Sequence, residues 1–311
     1  MRVIVGLDGS ISSRVAHALI IAMSWPLGAQ FTFLRACDEN GRWASSIPGG
    51  AWFSDGNPSA DGAGLLDPLD GMAEPLRRRG HRVEVRAVEG PVGRTLRDAA
   101  AEEAADLIVV GSRGRGVATS ALLGSVSADL TDHAPCPVLV ARRAKVNRVL
   151  VATDGAIRTD AIVPILARWQ ILKGLPTDVL SVAPRSPIAS ELLITPWAPT
   201  PALNSSRDAD EVARHRRFSD EMAQRLSDVG WDATGLVRLG DAADEIVKAA
   251  KELDSDLIVT GSRGLGDLQR ILAGSVAHDV LLHSHCSVLV MRGQVPARAN
   301  AMVAIGVPSM A

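Results

Sequence analysis

The sequence predicts an α/β protein built as two related, Rossmann-like, doubly wound domains, each a five-stranded parallel sheet covered by helices on both faces. Three observations carry that expectation. The chain repeats itself, in order, at four places. Its strand-like runs are short and almost continuously apolar, as strands buried on both sides are. Those runs alternate with amphipathic stretches, the rhythm of parallel strands joined by helical crossovers.

The repeat comes first, because missing one miscasts the whole fold. DLIVVGSRG (106–114) is answered by DLIVTGSRG (256–264), 150 residues further on. At the same offset, LLGSVSADL (122–130) answers ILAGSVAHDV (271–280), and CPVLVAR (136–142) answers CSVLVMR (286–292). RVIVGLDGS (2–10) answers RVLVATDGA (148–156) at an offset of 146, so four residues of length difference fall in the middle of the copies. The expected units are 1–145 and 146–294, with a tail at 295–311 that has no counterpart in the first copy. With 311 residues in all, each unit is long enough to bury its own core.

Each copy opens on a β-branched run (3–7 and 149–152), followed by a helix (13–25 and 159–172) and a second strand (31–36 and 178–183). A long loop and a helix ending near Gly80 or Gly230 lead to a third strand (82–88 and 233–239). A helix rich in alanine and glutamate (92–105 and 243–253) precedes the fourth strand, LIVV or LIVT. A last helix (near 120–133 and 268–283) feeds a closing VLV strand. Trp25, Trp169 and Trp231 fall at element ends and are expected in the core. The loops 38–64 and 183–207, rich in Gly, Ser and Pro yet holding Trp43, Trp52, Phe53 and Trp197, suit either a lid over a ligand or packing across a subunit interface.

Composition narrows the function. Thirty-three Lys and Arg against 35 Asp and Glu leave a net charge of −2, without the basic excess of a nucleic-acid binder. The early apolar run 15–23 is interrupted by His17 and is too short to span a bilayer, so no membrane partner is expected. MRVIVGLDGS reaches Asp8 at once, unlike a signal peptide, and Cys37, Cys136 and Cys286 form neither a disulfide framework nor a CxxC pair. A reducing, cytoplasmic setting is expected.

In both copies the fourth strand runs into Gly-x2-Gly, and after nine intervening residues comes Gly-Ser: Gly111, Gly114, Gly124 and Ser125, then Gly261, Gly264, Gly274 and Ser275. Glycines let backbone amides approach phosphate oxygens and adopt positive φ at little cost. Ser125 and Ser275, followed by Val126 and Val276, are expected in the first turn of the last helix, where open amides and the helix dipole favour an anion. Tight turns are the plainer reading of such glycines. No Gly-Lys-Ser/Thr ending makes this a Walker A loop, and no G-x-G-x-x-G follows the first strand.

Asp8 and Asp154 end the first strands, where ligands of open α/β sheets sit. Each suits ribose hydroxyls or a phosphate-bound Mg²⁺, or else a turn or helix cap beside its glycine. Ser10 can cap the first helix, and its counterpart Ala156 cannot. Arg113 and Arg263 within the glycine loops either touch the ligand or face solvent. The seven histidines show no metal-ligand spacing, and His283-Ser-His285-Cys286 reads as a loop because His133-Ala-Pro-Cys136 lacks one member. Arg77 to Arg79 reads as a solvated helix end.

Over nearly its whole length the sequence resembles a tandem universal stress protein of the ATP-binding subgroup, on VGLDGS, DLIVVGSRGRG, LLGSVSADLTDHAPCPVLVAR and their second-copy equivalents. The resemblance implies strand order 3-2-1-4-5 and two ATP molecules per chain, accompanied by Mg²⁺. It places adenine against backbone at Ala36 and Val182, and the nucleoside against Gly6 and Ala152. Two positions depart from the pattern: Ala152 stands for a glycine and Ala156 for a serine. The implied function is that of a stress- or dormancy-linked regulator whose nucleotide occupancy biases shape or partner choice, with a homodimer of such chains expected. A slow Mg-dependent ATP hydrolase or nucleotidyl-transferring enzyme is the rival, but the sequence offers no paired base or activated nucleophile for it. In that strand order each VLV strand is an open, apolar edge, which invites pairing. The short link 143–147 makes pairing within the chain favourable, antiparallel about a pseudo-twofold axis.

Overall fold

The computed structural model describes residues 1–37, 67–113, 123–154, 162–185, 202–261 and 275–292. The first half runs β1 (Arg2–Gly6), α1 (Ile11–Ala22), β2 (Gln30–Cys37), α2 (Asp67–Arg77), β3 (Arg82–Glu89), α3 (Val92–Glu102), β4 (Leu107–Gly111), α4 (Ser125–His133) and β5 (Val138–Ala141). The second runs β6 (Val149–Thr153), α5 (Ile162–Arg168), β7 (Pro176–Ala183), α6 (Ala202–Asp228), β8 (Asp232–Leu239), α7 (Ala242–Glu252), β9 (Leu257–Gly261), α8 (Ser275–His283) and β10 (Ser287–Met291).

The strands form one ten-stranded sheet in the order β3-β2-β1-β4-β5-β10-β9-β6-β7-β8. Each half therefore has the order 3-2-1-4-5, parallel throughout. The halves meet where expected, β5 antiparallel to β10, with Val138 opposite Val290, Leu139 opposite Leu289 and Val140 opposite Val288. Two apolar layers run across both halves. Under α1, α2, α5 and α6 lie Val3, Val5, Leu139, Val149, Val151 and Leu289 among others, and under α3, α4, α7 and α8 lie Ile4, Ile108, Val138, Leu150, Ile258 and Val288. Trp25, Trp169 and Trp231 are buried in the first layer, as expected.

The repeated residues explain several repeated local structures. The aspartate that opens each DLIV is a strand tie: Asp106 Oδ2 accepts from Arg2 N–H at 2.8 Å, and Asp256 Oδ2 from Asn147 N–H at 2.8 Å. Gly80 and Gly230 end α2 and α6 with φ of +81° and +88°, a conformation that favours glycine.

Two expectations about helices need correction. Among the described residues, the helix foreseen over 159–172 divides into α5, ending at Arg168, and a separate 3₁₀ turn at Gln170–Leu172; Trp169 leaves helical geometry (φ −91°, ψ 88°) and its side chain is buried in the core. The loop foreseen over 183–207 is cut short by α6, which begins at Ala202. Residues 186–201 of that loop, all of 38–64 and the tail 295–311 lie outside the described residues. Among the described residues no helix is long and apolar enough to cross a membrane.

Candidate functional site

In the first half, three segments converge at the carboxyl end of the sheet. Asp8 Oδ1 accepts from Ser10 N–H at 2.9 Å across Gly9, whose φ is +74°. That turn aims Ser10 at the start of α1, where its Oγ accepts from Ser13 N–H at 3.1 Å, the expected cap. The same hydroxyl donates to the Arg113 carbonyl at 3.3 Å, tying the β1–α1 turn to the glycine loop. Asp8 is thus a turn aspartate in this structure, and the cap is Ser10 itself.

The glycine loop is tied in turn to α4. Ser112 N–H donates to Ala141 O at 3.2 Å, and Ser112 O accepts from Gly124 N–H at 2.9 Å. Ser127 Oγ donates to the Gly111 carbonyl at 2.7 Å. Gly124 is the N-cap of α4, and helical bonding begins with Ala128 N–H to Gly124 O at 3.0 Å. The amides of Ser125, Val126 and Ser127 thus precede the first helical bond of α4, and Ser125 is exposed.

Packing demands one of the expected glycines and crowds another. A Cβ on Gly111 would lie 2.5 Å from the carbonyl carbon of Ser12, so the first turn of α1 rests directly on the end of β4. A Cβ on Gly6 would lie 3.0 Å from Leu96 and 3.1 Å from Val110. Ala36 is half-buried at the end of β2.

In the second half, Asp154, Gly261 and Ser275 are all exposed at the corresponding rim, Val182 and Val276 are half-buried, and Ala152 is buried. Gly114, Arg263, Gly264 and Gly274 lie outside the described residues. This rim contains a pair that sequence reasoning missed. Ser181 Oγ donates to the Thr153 carbonyl at 3.0 Å and accepts from His215 Nδ1 at 2.8 Å, which places the proton of the neutral ring on Nδ1. His215 is buried on α6, edge-on to Phe218, with Nε2 3.9 Å from Glu211. Burial pushes its pKa down, Arg214 adds to that, and Glu211 and Asp154 oppose it. Nothing in its spacing pointed to Ser181, thirty-four residues earlier. Among the described residues no three acidic, histidine or cysteine side chains gather as a metal cluster.

The second missed feature joins the halves. Arg142, just past β5, reaches the Leu281 carbonyl in the last turn of α8, while Arg292, just past β10, reaches the carbonyls of Asp132 and, at 2.8 Å, Ala134 at the end of α4. The signal was present in the arginine that closes both CPVLVAR and CSVLVMR.

The model of the universal stress protein family matches residues 1–142 and again 145–292. This chain belongs to the universal stress protein family. It is 29% identical over 221 residues to universal stress protein Rv2624c of Mycobacterium tuberculosis, covering 68% of this chain and 70% of that one. Universal stress protein YxiE of Bacillus subtilis is 30% identical over 152 residues, which is 47% of this chain and 99% of YxiE. Among solved structures, a universal stress protein from Archaeoglobus fulgidus superposes with a TM-score of 0.58 at 17% identity, covering 94% of this chain and 98% of its own. At that identity the likeness concerns the fold, and it extends through both domains of this universal stress protein.

Proposed function

We propose that this universal stress protein binds two adenine nucleotides, one at the carboxyl rim of each half-sheet, and that occupancy governs its shape or its choice of protein partner. One observation carries the reading: the open first turn of α4 is tied through Ser112 and Arg113 to the Asp8–Ser10 turn, by bonds of 2.9 and 3.3 Å. That arrangement sets exposed Ser125 and the first-turn amides of α4 on the same rim as a carboxylate. Phosphate oxygens suit the amides and the helix dipole. Exposed Asp154, Gly261 and Ser275 offer the same groups in the second half.

In this reading Ser125, Val126, Ser275 and Val276 hold phosphate, with Arg113 and the glycine loops beside them. Backbone at Ala36 and Val182 meets the base, and Gly6 and Ala152 flank the nucleoside. Asp8 and Asp154 are the carboxylates that would hold Mg²⁺, which neutralises triphosphate charge when bound. The nucleotide is ATP, the setting cytoplasmic, and the role regulatory in stress or dormancy, with two such chains associating as a homodimer.

Calorimetric titration of nucleotide-stripped protein with Mg-ATP tests the reading. A plateau at two per chain is expected. A plateau at one removes a site from one half, and the absence of binding sinks the proposal.

A further inference from the structure

Arg142 and Arg292 occupy equivalent places, each the first residue after its half's closing strand. Each crosses to the other half. Arg142 donates through Nη2 to Leu281 O and through Nη1 to Cys286 O at 3.5 Å, and its amide donates to Ser287 Oγ at 3.1 Å. Arg292 donates through Nη1 to Ala134 O at 2.8 Å and through Nη2 to Asp132 O. The last carbonyls of a helix have no partner within it and carry the negative end of its dipole. A planar guanidinium fork answers both needs from one side chain.

The helices held in this way are those whose opposite ends face the candidate sites. α4 and α8 have nine residues each, roughly 13 Å at 1.5 Å per residue, with Ser125 and Ser275 at their starts. The anchoring strands reach those rims too. Ala141 pairs with Gly111 and accepts from Ser112 N–H, and Met291 pairs with Gly261. Each arginine thus connects the end of its own half's fourth strand to the far end of the other half's anion-facing helix.

We propose that Arg142 and Arg292 are positioning residues that hold the phosphate-facing turns of α8 and α4 from the opposite domain, so that neither site is complete within its own half. The inference rests on the nucleotide reading above. A short helix held at its C-terminus as well as near its start tilts less, and its N-terminal amides keep their aim. With Arg292 removed, α4 keeps its ties at Gly124 and Ser127 but loses the anchor at its far end. By linkage, a ligand that shifts either loop changes affinity at the other site by the same factor in both directions.

The test uses the full chain with its second site disabled by Gly264→Trp, so that Mg-ATP titration reports the first site alone. In that background R292M is expected to weaken binding by about fivefold or more, the lower range of coupling between sites. R292K should recover part of the loss, since lysine supplies charge without the fork. Deuterium uptake should rise at the amides of 125–131 and not in α3, and scattering should show the halves still joined. Affinity equal to that of the Gly264→Trp chain, with uptake in α4 unchanged, overturns the proposal. If the parent chain binds no Mg-ATP the nucleotide reading has failed, if only the Gly264→Trp chain binds none the first half has no site, and in either case uptake in α4 alone decides whether Arg292 holds the helix. Should R292M not fold, R292K decides: reduced affinity with faster α4 uptake supports the clamp, and parental values overturn it.

Discussion

Leu139 of β5 lies directly opposite Leu289 of β10, and each is only 2% exposed, at the one place where the ten-stranded sheet turns antiparallel. The two residues mark the seam at which the layers of both halves become continuous. Leu139→Pro removes a ladder donor in the centre of the sheet. A larger radius of gyration in small-angle scattering is expected, with each half still folded. Leu289→Ala leaves a cavity at the same seam and should cost about 2–5 kcal/mol in denaturant unfolding. A parental radius and midpoint in both variants would show that the seam is not what joins the halves.

The glycines of the first loop should separate into two kinds. At Gly111 a methyl group meets the Ser12 backbone at 2.5 Å, so α1 must move away from β4. Gly111→Ala is expected to lower stability by about 1–3 kcal/mol, the usual cost of overpacking. A bulky residue at Gly114 or Gly264 should instead abolish Mg-ATP binding at that site while the melting temperature holds. Unchanged affinity in the double variant, with native-like circular dichroism, would sink the phosphate-loop assignment.

Turnover of ATP should fall far below the usual enzyme range of about 1 to 10³ per second. The measurement is steady-state phosphate release by purified protein with Mg²⁺. Release at several per second, abolished by Asp8→Ala, would make the protein a hydrolase.

His215 gives the second domain an acid sensitivity. Burial holds its folded-state pKa below the ordinary value, so as pH falls below about 6.5 the unfolded chain takes up the proton first. The stability contribution is therefore complete above that value and lost on acidification. Arg214 steepens the loss, and Glu211 and Asp154 moderate it. His17, His81 and His285 shift in the same direction, so the whole chain should weaken between pH 7.5 and 5.5. His215→Gln should flatten that slope in urea titrations at the two pH values. An identical slope would remove His215 from the account.

Much of the site's position was legible in the linear pattern. The glycine spacing, the LDGS turn and the first residue of α4 were all readable because turns and caps depend on residues a few positions apart. The Ser10 cap and the place of Ser125 in the first turn of α4 came out as expected, although the helix starts at Ser125 and not near 120. The reason for Gly111 did not, because its neighbour Ser12 lies ninety-nine positions earlier and only the packing of α1 on β4 brings them together. The break at Trp169 was hidden likewise, since a ring bound for the core overrides a helical pattern that was locally sound.

By itself the sequence determined the duplication, the order of elements, and the two VLV strands whose exposed edges would need partners. Duplication and period are properties of the chain read in line, and a short apolar edge has few ways to leave water. Only the tertiary structure decided which distant groups meet: Ser181 with His215, Arg142 with Leu281, Arg292 with Asp132 and Ala134. Those contacts depend on how far a side chain reaches across a seam, and on carbonyls left unpaired where a helix in the other half happens to end. No local pattern encodes that; it exists once β5 and β10 are side by side.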